Sequence, residues 1–178
     1  MYFLKSLHSL AVLYSSTSFD SREIGTVRNK LPKASVCLST PWQVLEDGSL
    51  FIQPTDSFNG KLTWSLLSPY PKPTAVELEV MADSRLPQGG PGWSDEGDFQ
   101  LTEFKVYGKG KDSGDWIPIL LEAPENDFRK EGTSVRYLID DDPETHWSIF
   151  PQNGQNHRCF FRIASIPDDR DLHMLRVE

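Results

Sequence analysis

Residues 75–82 read Ala-Val-Glu-Leu-Glu-Val-Met-Ala. In an extended chain Val76, Leu78 and Val80 point one way and Glu77 and Glu79 the other, the two-residue period of a half-buried strand with its glutamates outward. The same rhythm recurs on both sides of this stretch. Lys61 to Leu67 puts Leu62, Trp64 and Leu66 on one face, and His157 to Ala164 does so with Cys159, Phe161 and Ile163. Trp42 to Leu45 and Leu50 to Gln53 flank Glu46-Asp47-Gly48-Ser49, whose central Asp-Gly predicts a hairpin. Leu172 to Val177 reads as a last strand.

Two stretches break the rhythm. Phe99 and Leu101 share one parity and Phe104 and Val106 the other, so a strand over Phe99 to Gly108 needs a bulge near Thr102-Glu103 or burial on both faces. Trp116 to Leu121 carries Pro118, which suits an edge strand or a bulge. Seven or eight short strands, with turn-rich intervals and no crossover helices, predict an all-β fold: an antiparallel jelly-roll β-sandwich. Trp64, Leu78, Val80, Phe104, Val106, Trp147 and Phe161 are expected in its core. Trp147 is expected to face inward because Ile149 and Phe150 begin a strand.

The 178 residues are enough for one domain with a substantial core. A net charge of −8, with no run of Lys and Arg to track phosphates, argues against nucleic acid as a partner. Residues 1–33 read as a leader or linker; the stretch Met1 to Ser18 has the features of a poor signal peptide but is too short and polar for a transmembrane segment. Cys37 and Cys159 are compatible with one disulfide or with two buried thiols, and no haem-attachment or paired zinc motif is present. No nucleophile elbow, zinc-protease helix, P-loop or dinucleotide fingerprint occurs, so the protein is read as not an enzyme.

Two motifs resemble a known family. Ala123 to Gln152 reads APENDFRKEGTSVRYLIDDDPETHWSIFPQ, and within it the Ile-Asp-Asp-Asp run leading to Thr145 and Trp147 is similar to the signature of discoidin, or coagulation-factor type C, modules. Leu86 to Val106, LPQGGPGWSDEGDFQLTEFKV, resembles a Gly-rich loop and strand of the version found in multidomain planctomycete proteins that also carry cytochrome domains. The hairpin VLEDGSLF and the ending LHMLRVE match that version too. The resemblance covers roughly residues 34–178, which are read as the module. It implies a galactose-binding-like jelly roll that binds carbohydrate or another surface polymer, or else a structural spacer. The setting it implies is extracytoplasmic, beside other domains of a longer parent. Where the family has Asp-Gly this chain has Asp140-Asp141, placing an aspartate in a turn that favours glycine. Family members continue by another strand or two, so the jelly roll is expected to lack its last strand, with an open, self-associating edge at Leu172 to Val177.

Asp140, Asp141, Asp142, Glu144 and Thr145 gather oxygen ligands of the kind Ca²⁺ takes. The resemblance implies a structural Ca²⁺ through Asp140, Asp142 and Thr145; the alternative is an acidic turn closed by Asx hydrogen bonds. Trp93, after Gln88-Gly89-Gly90-Pro91-Gly92, is either a stacking surface for a sugar ring or a cover for the end of the fold. A copper electron-transfer site would draw on His146, His157, Cys159 and Met174. However, fourteen positions separate Cys159 from His173, where a blue-copper site expects a short loop. No haem is expected in this chain.

Overall fold

The fold is taken from a computed structural model that describes residues 4–5, 9–11, 35–36, 42–46, 49–52, 59–68 and 70–178. Twelve strands are described, several of only two or three residues: β1 (Leu4–Lys5), β2 (Ser9–Ala11), β3 (Ser35–Val36), β4 (Trp42–Val44), β5 (Leu50–Ile52), β6 (Asn59–Gly60), β7 (Trp64–Leu67), β8 (Ala75–Val80), β9 (Val106–Lys109), β10 (Ile117–Asn126), β11 (His157–Ser165) and β12 (Met174–Val177). Among the described residues, helix is confined to three 3₁₀ turns, Pro87–Gly89, Val135–Ile139 and Pro167–Asp169. Every strand pairing is antiparallel, so the fold is all-β as the alternating pattern predicts. The sheet order is β3-β7-β12-β9-β10-β11-β8-β2-β5-β4, with β1 and β6 paired apart from it. The predicted hairpin is β4–β5, with Trp42 opposite Ile52 and Val44 opposite Leu50.

The six strands from β7 to β8 curl around one core, because inward residues of both halves meet in a single cluster. Leu66, Val106, Leu175 and Val177 enter it from one half, and Val76, Leu78, Val80 and Phe161 from the other. Phe104 stacks on Phe161 with ring centroids 5.0 Å apart, which joins the halves across the interior. Of the seven residues expected in the core, six are buried and Trp64 is half-buried against the cluster. Trp147 is fully buried, packs edge-on against Phe99 at 5.2 Å, and donates its indole N–H to Phe128 O at 3.0 Å.

Several expectations are corrected. Phe99 to Gly108 is not one strand. Leu101 makes an isolated bridge to Trp147, and regular pairing begins only at Val106. The parity conflict is resolved by leaving the ladder, which lets Phe99, Leu101, Phe104 and Val106 all be buried. Ile149 and Phe150 start no strand; they lead into a turn in which Gln152 N–H donates to Ile149 O. Of the two settings expected for Pro118 the edge is not found, since it lies in a central strand, but the same strand has a register break at Leu120/Leu121. Pro118 itself pairs with β9, so its missing N–H interrupts nothing on the β11 side. Glu77 and Glu79 lie opposite the core-facing residues of β8 yet are buried, not outward, with Arg158 of β11 beside both. β12 is paired on both sides, by β7 and by β9, so the open edge expected at Leu172 to Val177 is absent.

Cys159 is a buried free thiol; Cys37 lies outside the described residues. So do most of residues 1–33, read as leader or linker, apart from the short strands β1 and β2. Among the described residues no helix is long and apolar enough to cross a membrane.

Truncating the fully buried Trp147 removes its packing on Phe99 and orphans the Phe128 carbonyl. Trp147→Ala is expected to cost about 3–5 kcal/mol in urea unfolding, the range for large aromatics in well-packed cores.

Candidate functional site

β10 serves two ladders. It pairs with β9 over Ile117–Ile119 and with β11 from Leu120 onward. The ladders part beside Ile119, and the residues preceding β9 take other partners there. Lys105 and Glu178 exchange backbone hydrogen bonds of 2.9 Å, and Phe104 N–H donates to Leu138 O at 2.7 Å. The parting leaves an open groove of about 310 Å³. Phe104, Val106, Ile119 and Leu121 approach it from the core side. Tyr107, Pro118 and Leu120, which is 61 % exposed, form its outer rim. Glu103, Lys105 and Asp141 bring charge to it.

Glu103 is the unusual member. Its side chain is 7 % exposed, and neither carboxylate oxygen has a hydrogen-bond partner. Its closest cation, Lys105 Nζ, is 3.8 Å away, beyond hydrogen-bond reach, while the same Nζ hydrogen-bonds Asp141 Oδ1. Burial pushes the Glu103 carboxyl up to about 7; Lys105 opposes the rise, and the carboxylates of Asp141, Asp140 and Asp142 add to it.

The acidic turn adjoins the groove through Asp141, which occupies the left-handed region at φ 61°, a conformation that favours glycine. Asp140 Oδ1 accepts from Asp142 N–H at 3.0 Å and Oδ2 from Thr145 Oγ1 at 3.0 Å, and Asp142 Oδ1 accepts from Glu144 N–H at 3.0 Å. These are Asx-type closures of the turn. The oxygens expected to hold Ca²⁺ thus serve the turn's own donors, and no metal-competent group of three His, Cys, Asp or Glu side chains occurs among the described residues.

Trp93 lies elsewhere and is not among the residues lining the groove. Its loop is anchored rather than projecting: Gly92 N–H donates to Gly97 O at 2.8 Å. Asp98 holds Ser148 Oγ at 2.6 Å and Ile149 N–H at 3.1 Å. Trp93 itself is half-buried. Gly92 has a strict role, since a Cβ there would stand 2.0 Å from Asp98 O.

A second charged cluster lies at β8 and β11. His157 is buried, with Nε2 2.8 Å from Gln152 O and Nδ1 3.3 Å from Asp127 Oδ2. Burial alone would lower the His157 pKa, but the Asp127 carboxylate and the Gln152 carbonyl outweigh it and raise the value. Burial would raise Asp127, yet His157 and the Arg158 backbone bring it down. Burial also pushes Glu77 up to about 7, against the pull of Arg158 and with the help of Glu79 and Asp127. Both nitrogens of His157 face protein groups, and burial drives the Cys159 thiol well up. His157 and Cys159 share a strand face as read from the sequence, but each is turned to the interior.

Comparison with protein-family models, with curated proteins and with solved structures yields no match to this chain. The groove was missed from sequence because its members alternate out of the core pattern. Glu103, Lys105 and Tyr107 share the parity opposite to Phe104 and Val106. That polar parity was the available signal.

Two stability profiles check this electrostatics. A carboxyl whose folded pKa is raised is penalised for ionising: the penalty sets in as pH climbs past the ordinary value of 4.5 and is complete above about 7. Glu103→Gln, which mimics the neutral form, should therefore raise the melting temperature at about pH 8 and leave it nearly unchanged at about pH 4. The raised His157 value has the opposite sense. Its stabilisation is fully present below 6.5 and is lost as pH rises through the folded value. Asp127→Asn should accordingly cost more stability at about pH 6 than at about pH 9, read by denaturant titration.

Proposed function

We propose that this chain is a non-catalytic binding module for carbohydrate or another surface polymer, built as a discoidin-like jelly roll and working in an extracytoplasmic setting. The groove where the two ladders part carries the reading. It is open, it offers Pro118 and Leu120 as an apolar rim beside Tyr107, on whose ring the Arg176 guanidinium is stacked at 4.5 Å, and it places charged heads at its side. A pyranose ring presents an apolar C–H face and polar edges, and this combination suits such a surface. The one acid–base pair of the described residues with a shared shift, His157 and Asp127, speaks for structure rather than turnover. Nε2, the nitrogen left to meet a substrate, is 2.8 Å from Gln152 O.

Glycan-array binding of the intact chain, followed by titration of the best ligand, tests the reading. Leu120→Asp should weaken binding about tenfold or more, a loss of ~1.4 kcal/mol. Trp93→Ala measures any share taken by the second loop. Absence of binding to every glycan and polymer tried would overturn the reading in favour of a spacer domain.

A further inference from the structure

The rim of the groove explains how it could hold a ring or chain, but not why a carboxylate is sealed beside it. Glu103 is nine-tenths buried and lacks any hydrogen-bond donor on either oxygen. A buried carboxylate in that condition forfeits several charge-assisted bonds, each stronger than a neutral one. Three further carboxylates, those of Asp140, Asp141 and Asp142, act on it through space, against the one cation Lys105. The corner of the groove therefore carries an excess of negative charge. Lys105 does not remove it: its Nζ is 3.8 Å from Glu103 and is drawn to Asp141. Among the described residues no three His, Cys, Asp or Glu side chains are gathered as a metal set would gather them.

We propose that the groove is a site for a ligand carrying a primary ammonium group, with Glu103 as its counter-ion and Lys105 as the internal ammonium that the ligand displaces. A primary ammonium has three donors and needs fewer partners than a divalent cation. Both Glu103 oxygens and Asp141 supply acceptors once the Lys105 side chain, itself about a third exposed, swings out. Pro118 and Leu120 then meet the apolar part of the same ligand. Within the carbohydrate reading, on which this extension rests, the ligand class is an amino sugar with a free rather than acetylated amine.

The test uses the whole chain and two sets of probes. The first is n-butylammonium against n-butanol, followed by amide NMR shifts. Butylammonium should bind in the millimolar range and shift resonances of Glu103, Lys105, Leu120 and Asp141, while butanol should not. Binding requires ionised Glu103, so affinity should rise about tenfold from about pH 6 to about pH 8. Glu103→Gln, expected to fold stably, should abolish both the binding and its pH dependence. Lys105→Met should bind several-fold more tightly, because the competing ammonium is gone. Weaker binding in Lys105→Met, or butylammonium shifts unchanged in Glu103→Gln, would overturn the proposal. The second set compares glucosamine oligomers with their N-acetylated forms. A preference for the free amine that Glu103→Gln erases supports the amino-sugar class. Equal binding of both forms, with no butylammonium site, would overturn this inference and leave the carbohydrate reading standing. A butylammonium site without binding of any glycan would do the reverse.

Discussion

The sharing of β10 between two ladders governs this structure. An antiparallel strand can satisfy neighbours on both sides along its whole length, but only while the sheet stays continuous. Here the first three residues of β10 serve β9 and the rest serve β11, so the sheet must turn at that strand. The turn is sharpened by register breaks at Leu120/Leu121 and between Glu122 and Glu125, with Ala123 at φ 46° inside the second. Because the sheet turns, side chains from β7, β12 and β9 reach those from β8 and β11, and one core forms in place of two exposed faces. Because the ladders part, backbone and side chains next to Ile119 lack a continuous strand on one side, and the groove is the result. Core and candidate site thus have one cause.

Charge follows from the same arrangement. Regular strands set Glu77 and Glu79 opposite the core residues of β8, which in an isolated sheet would give them to solvent. Burial on that face too makes them depend on Arg158, and Glu77 titrates near neutrality as a consequence. Glu103 owes its similar value to a different enclosure, beside the groove and under the field of the acidic turn. Two carboxyls therefore change charge around pH 7 for reasons that have no common sequence pattern.

Much of the strand content was legible in the chain. Val76, Leu78 and Val80, Cys159 and Phe161, and Leu175 and Val177 alternate cleanly, and all are buried. The pairing of β4 with β5 was legible from the turn signal between them. The strained aspartate was readable too, since Asp141 stands where a left-handed residue was expected. What sequence could not convey was partnership. Periodicity reports which face of a strand is apolar and says nothing of its neighbours, so the family resemblance alone made β12 an edge, although it lies between β7 and β9. The same limit hid the bridge of Leu101 to Trp147, which replaced a predicted strand. It also hid the meeting of Glu103 with Asp141, 38 positions apart in the chain. The acidic turn drew notice as a cluster of ligands, and both oxygens of Asp140 and one of Asp142 also accept from the turn's own donors.

The central position of β12 has a mechanical consequence. Its four residues are hydrogen-bonded laterally to β7 and β9, and Glu178 continues the pairing with Lys105 while its carboxylate holds Lys61. Tension applied along this strand loads both rows of bonds in shear, so they must break together rather than peel one at a time. A two-residue strand such as β3, whose one partner among the described strands is β7, offers no comparable resistance. The fold is therefore anisotropic under force: stiff where a pull is transmitted through β12, and yielding where it enters through the short outer strands.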